Sequence, residues 1–144
     1  MAGDTQLKRF VSAQQRDYET ALAEIKNGRK RSHWMWYIFP QLKGLGFSST
    51  SQHYGIADLK EAEAYLRHPD LGRRLISISM VLLSLDNTNA AQIFGSPDDM
   101  KLRSCMTLFA AIKDSDPVFR QVLDKFFQGK ADPQTLTILN RERS

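Results

Sequence analysis

Four of the five prolines stand directly behind a residue that can close a helix start: His68-Pro69, Ser96-Pro97, Asp116-Pro117 and Asp132-Pro133. Proline has no amide proton and its φ is already near the helical value, so it suits the first helical turn and little beyond it. A side-chain acceptor just before it can take the free amides of that turn. The pattern predicts helices at about 69–85, 97–113, 117–128 and 133–140, with Gly129 as the stop of the third.

The remaining periodicity extends this frame. Leu7, Phe10, Val11, Gln14, Tyr18, Ala21, Leu22 and Ile25 fall on one helical face, with Asp4 or Thr5 as the start cap and Asn27-Gly28 as the stop. Asp58-Leu-Lys-Glu61 resembles a capping box and opens a helix to about Arg67. Leu71 to Leu85 is apolar on two faces, as expected of a central helix covered on several sides. A short helix is expected between Ser32 and Pro40, a loop over 43–56, and a short turn at 90–94. The fold class is therefore all-α, one domain over residues 1–144 with six or seven helices.

Composition narrows the class. With 144 residues, 42% of them hydrophobic and 25% charged, the chain can bury a core without staples. The single cysteine, Cys105, rules out an internal disulfide framework. No apolar run reaches the ~20 residues that span a bilayer, so no membrane partner is expected. MAGDTQLKRF lacks the apolar heart of a signal peptide, and a cytoplasmic location is expected. A net charge of +4 is compatible with phosphorylated partners or nucleic acid without demanding either.

The chemistry concentrates between Gly28 and Tyr54. Lys26, Arg29, Lys30 and Arg31 precede Trp34, Trp36, Tyr37 and Phe39; Gly44, Gly46, Ser48 and three further hydroxyl residues follow, with His33 and His53 on either side. Cations, aromatic faces, imidazoles and a small-residue loop suit an anionic, nucleotide-like ligand. Each feature also has a plain structural counterpart: aromatics as core, histidines as loop hydrogen-bonders, glycines as a simple turn. On a helix, Trp34 and Trp36 diverge by about 200°, so one can enter the core while the other lines a cleft. Further along, Lys101 falls within the apolar stripe of its helix, where its ammonium must either reach out or enter a polar hollow. Asp99 and Arg103 stand four apart and can pair. No Walker loop or dinucleotide fingerprint is readable, so no cofactor is expected. No Cys/His/Asp cluster has metal-ligand spacing either.

RKRSHWMWYIFPQLKGLGFSSTSQHYGI at Arg29 to Ile56, EAEAYLRHPDLGRRL at Glu61 to Leu75, IFG at Ile93 to Gly95 and KLRSCMTLF at Lys101 to Phe109 resemble the signature of a bacterial domain-of-unknown-function family. Members of that family are often labelled "calpastatin". The resemblance implies a mainly helical single domain and carries no established activity. The chain has none of the disordered repeats of a calpain inhibitor. Cys105 stands where the family pattern leads us to expect serine, which argues against an essential thiol there.

The expectation is a small-ligand protein, with possible enzymatic action on an anionic nucleotide-like or ADP-ribosyl metabolite. In it Lys30, Arg31, Lys101 and Arg103 neutralise charge, Trp34 or Trp36 stacks, Gly44, Gly46 and Ser48 offer amides and a hydroxyl, and His33 or His53 moves protons. The alternatives are a non-catalytic helical interaction module and, least favoured, a single-stranded nucleic-acid binder using the basic-aromatic run. The sequence does not specify an oligomeric state.

Overall fold

The computed structural model describes the backbone of residues 2–143 and the side chains of residues 6–142. Among them run nine helices: α1 (Ala2–Lys26), α2 (Met35–Ile38), α3 (Ser49–Tyr54), α4 (Leu59–Arg67), α5 (Leu71–Ser84), α6 (Ala90–Phe94), α7 (Asp98–Ala110), α8 (Val118–Phe127) and α9 (Pro133–Arg143). The expected count of six or seven is too low. The excess comes from short segments that carry no apolar period. Residues 49–54, expected as loop, form α3 because Ser48 Oγ accepts from the Ser51 amide at 3.1 Å and so closes the first turn. The ends of this segment are tied together by a parallel bridge, in which the Lys43 amide donates to Ile56 at 2.7 Å and the Ile56 amide to Gln41 at 2.8 Å. Gly55 permits the closure, since a Cβ there would lie 2.9 Å from both Lys43 Cα and the Ser51 carbonyl oxygen.

Most of the proline-marked starts hold. Asp116 accepts from the Val118 amide at 2.9 Å and Asp132 from the Thr135 amide at 3.1 Å. His68 Nδ1 takes the amides of Asp70 and Leu71 at 3.1 and 3.3 Å. Ser96 is the exception. The N-cap of α7 is Pro97, with no side-chain cap bond, because the Asp99 amide is taken by the Gly95 carbonyl at 2.9 Å. The Asp58-to-Glu61 box forms on one side at 2.9 Å, while the Glu61 carboxylate reaches the Ala57 amide at 2.8 Å and Arg9 at 3.0 Å. The same Arg9 donates to the Gly55 carbonyl at 3.0 Å. α1 already runs from Ala2, so Asp4 and Thr5, expected to cap its start, lie within it, and their side chains are outside the described ones.

α5 is central as expected, packed on α1, α4 and α8, while α7 packs on α4, α6, α8 and α9. A chain of rings crosses the core between helices: Phe10 to Tyr65 at 5.1 Å, Tyr65 to Phe109 at 5.3 Å, Phe109 to Phe119 at 5.7 Å. Such pairs add to the large apolar area each ring removes from water. The buried Gln14 amide donates to the Tyr37 carbonyl and the Tyr65 hydroxyl, both at 2.8 Å, so this polar intrusion is satisfied. Burial pushes the Tyr65 phenol and the Cys105 thiol far up, leaving both neutral. Lys125 closes the far end of α5, donating to the carbonyls of Leu82 and Leu83 at 3.1 and 3.0 Å and to that of Leu85. Among the described residues no helix is long and apolar enough to cross a membrane.

One carboxylate near the end of α1 sets the course of the aromatic segment. Gly28, at φ +79°, turns the chain back, and the Arg29 amide closes on the Glu24 carbonyl at 3.1 Å. Glu24 Oε1 then accepts from the Arg31 and Ser32 amides at 2.7 and 2.9 Å and from Trp34 Nε1 at 2.9 Å, while Oε2 accepts from Ser32 Oγ at 2.5 Å. Burial would raise this carboxyl, but four donors outweigh it and hold its pKa at about 2.

Two outcomes are expected. Gly72→Ala would place a Cβ 1.9 Å from the Leu66 carbonyl oxygen, forcing α5 away from α4. Its urea midpoint should correspond to a loss of about 3 kcal/mol. Glu24 has a depressed folded-state pKa, so its stabilisation is full above its ordinary value of 4.5 and fades as pH falls towards about 2. The stability gap between wild type and Glu24→Gln, followed by denaturant unfolding, should therefore be widest near neutrality and shrink between about pH 5 and pH 2.

Candidate functional site

The aromatic segment enters α2 with its two indoles turned apart. Trp34 is only 1% exposed, bonded to Glu24 and packed on Phe39 and Phe94 at ring distances of 6.2 and 6.4 Å. It presents no face to a ligand. Trp36, two residues on, is half-buried and floors a cleft of about 570 Å³. The opposite sides come from Gln41, Leu45 and Gly46 of the following loop, from Met100, Lys101 and Ser104 of α7, and from Asp132, Pro133 and Gln134 at the start of α9.

Lys101 is the cation of this cleft. Its Nζ lies 4.0 Å from the Trp36 ring centroid and 3.0 Å from an Asp98 carboxylate oxygen, and the side chain is 21% exposed. The other Asp98 oxygen is 3.0 Å from Lys30 Nζ, whose side chain is 9% exposed. Burial disfavours the Asp98 charge, and the two ammonium groups overcome this and keep its pKa below the usual range. Two cations thus share one anion, and the single positive charge this trio carries faces the Asp132 carboxylate of the same cleft. The buried Lys30 also lies 5.2 Å from the Trp34 ring centroid, so it serves as the support of Asp98 and Lys101 as the group that meets solvent.

The facing wall is Asp132, held by three polar residues of α7. Ser104 Oγ shares its one proton between Asp132 Oδ2 at 3.1 Å and the Met100 carbonyl at 3.2 Å; Thr107 Oγ1 accepts the Asp132 amide at 2.8 Å; Arg103 donates to the carbonyls of Lys130 and Ala131 at 2.9 and 2.8 Å. Arg103 is therefore occupied with backbone and makes no ion pair with Asp99. Thr135 donates to the same Asp132 oxygen through its amide and, at 2.5 Å, through its hydroxyl.

The other sequence candidates are distributed around this cleft. Gly46 lines it, whereas Gly44, at φ +104°, lines an adjoining hollow of about 350 Å³ with Leu45, Phe47, Ile138 and Arg141. Ser48 is exposed and caps α3. Arg31 is exposed, and its backbone amide serves the Glu24 anchor. His33 is exposed and does not line the cleft; its carbonyl accepts from the Tyr37 hydroxyl at 3.2 Å. His53, with its ring 4.6 Å from Tyr54, stands in a separate hollow with Gln6, Arg9, Lys43 and Glu61. The two histidines are thus apart from Trp36 and Lys101. Asp132, Ser104 and Gln41 were not among the sequence candidates. Their signal was present in Ser104 and Thr107, which place two hydroxyls among core positions of α7. Among the described residues no group of three or more histidines, cysteines or carboxylates is placed to hold a metal ion.

Comparison with curated proteins returns no match. Among solved structures, the 1.38 Å crystal structure of the conserved hypothetical protein Rv1873 from Mycobacterium tuberculosis is similar, at 46% identity and a TM-score of 0.91. That similarity covers 93% of this chain and 96% of the mycobacterial one. The family model described as protein of unknown function (DUF1810) matches residues 4–139. The chain belongs to that DUF1810 family.

Proposed function

We propose that this is a cytoplasmic protein that binds an anionic, nucleotide-like small molecule in the cleft between Trp36, Lys101 and Asp132. The observation that carries the reading is the shared ion pair: two ammonium groups divide one carboxylate, and the more exposed of them faces a 570 Å³ hollow. Ligand pockets for drug-sized molecules run to roughly 300–1,000 Å³, so the space suits a mononucleotide better than a bare ion. Lys101 covers one face of Trp36, so the indole orients the ammonium and closes the floor. Of the cations named from sequence, Lys101 is the one that supplies the charge to a ligand, while Lys30 and Arg103 support the walls. His33 and His53, the proton carriers expected from sequence, stand away from this cleft.

A protein-interaction module is the second reading, and one observation favours it: Phe47, at the tip of the loop beside the cleft, is 88% exposed. A titration of wild type and Phe47→Ser against a ligand panel separates the two readings, since only the module needs that ring.

The expected outcome is a thermal shift from at least one member of a panel of nucleotides and sugar phosphates, weakening as salt rises. Lys101→Met keeps the stem over the indole and removes the charge. It should weaken binding at least about tenfold, or ~1.4 kcal/mol, with the melting temperature of the free protein little changed. A panel without any response, or equal affinity in wild type and Lys101→Met, removes this reading.

A further inference from the structure

We infer that Asp132 is a hydroxyl acceptor for the ligand, and that the cleft takes a ribose-bearing phosphate whose ring diol meets Asp132 while its phosphate meets Lys101. This rests on the anion-binding reading of the same cleft and specifies its chemistry.

The asymmetry of the Asp132 carboxylate leads to it. All three donors that reach this side chain converge on Oδ2: Ser104 Oγ at 3.1 Å, the Thr135 amide at 3.1 Å and Thr135 Oγ1 at 2.5 Å. Oδ1 has no donor among the described residues, and Asp132 lines the cleft. A carboxylate oxygen carries two lone pairs. Oδ2 is saturated, and both acceptor sites of Oδ1 are left without a donor among the described residues. A plain helix cap needs one oxygen and one amide. Here the backbone of the residue is fastened as well, through Thr107 Oγ1 at 2.8 Å and through the two carbonyls before it, which Arg103 grips. Three polar residues of α7 thus fix the position of one free oxygen atom. Such fixing of a polar group by a surrounding shell is what orientation of a ligand requires.

The spacing selects the ligand. Ser104, which touches Asp132, stands three residues after Lys101 on α7, about 4.5 Å along the helix axis, so one small ligand can reach both the ammonium and the carboxylate. A ribose 5-phosphate spans such an offset from its phosphate to its ring hydroxyls. Two adjacent hydroxyls can both donate to one oxygen with two open lone pairs, and an acidic side chain accepts the ribose 2′-hydroxyl in dinucleotide-binding folds. An amino acid would also satisfy one cation and one anion, but it would leave most of a 570 Å³ cleft unfilled.

The test compares ribonucleoside 5′-monophosphates and ribose 5-phosphate with 2′,3′-dideoxynucleoside 5′-monophosphates and inorganic phosphate. Calorimetric titration into wild-type protein is the readout. Ribo forms should bind roughly 10- to 100-fold more tightly than their dideoxy counterparts. Asp132→Asn should erase that preference, while dideoxy and phosphate binding persist and tighten, because one negative charge leaves the cleft. Equal affinity for ribo and dideoxy forms overturns the role of Asp132 and leaves anion binding at Lys101 intact. Tighter binding of a free amino acid than of any ribose phosphate overturns it likewise. Absence of binding by every phosphate overturns both. Because the ribo-to-dideoxy comparison is made on the wild-type chain, misfolding of Asp132→Asn cannot obscure it.

Discussion

The Glu24 carboxylate is the point on which the placement of the site depends. A segment with two tryptophans, a tyrosine and a phenylalanine would collapse onto the core in many ways, because apolar burial has no direction. Hydrogen bonds have direction. Two amides, a hydroxyl and an indole N–H converge on one carboxylate, and this decides which indole goes inward. Trp34 is fastened as the N-cap just outside α2, and Trp36, inside the helix, lines the cleft instead. The adjoining Lys30 amide is held by the Ile93 carbonyl at 2.7 Å, which brings its side chain to Asp98. The basic run is in this respect less a surface feature than the joint between α1 and the start of α7.

The second joint is polar as well. α7 is mostly core, yet Lys101, Arg103, Ser104 and Thr107 all direct their polar atoms towards the cleft or its α9 wall. A helix that must both fill a core and line a cleft divides its faces in this way. One side supplies Leu102, Cys105, Met106 and Phe109 to the interior. The other supplies groups whose desolvation is offset by defined partners. The absence of a strong amphipathic pattern in α7 follows from that double duty.

The helical frame was legible because its signals are local. A capping side chain followed by proline marks a start from adjacent residues alone, and the two-faced apolar pattern of α5 reports burial on several sides. Residues 49–54 were illegible for the same reason, since α3 is short, polar and stabilised by a serine cap and a distant bridge rather than by periodicity. Ser96 misled because a backbone carbonyl, invisible in sequence, had already taken the amide. The odd position of Lys101 within an apolar stripe left two outcomes open, and in the structure the residue lines the cleft. Asp132 escaped notice because a cap explained it fully. Only the structure shows that one of its oxygens suffices for capping. The histidines stood out by chemistry, but their distance from Lys101 is set by tertiary packing that no short motif encodes.

α1 carries a fastening near each end: Arg9 holds the Gly55 carbonyl and Glu61, and Glu24 holds residues 31–34. Fifteen residues, ~22 Å of helix, separate them. The helix is therefore a strut cut to length, bracketing the start and the finish of the stretch that floors the cleft. A single residue added between its two clamps would swing one of them by about 100° around the axis. Length variation along this helix is consequently barred in its middle and tolerable only outside the clamps, however exposed the intervening surface.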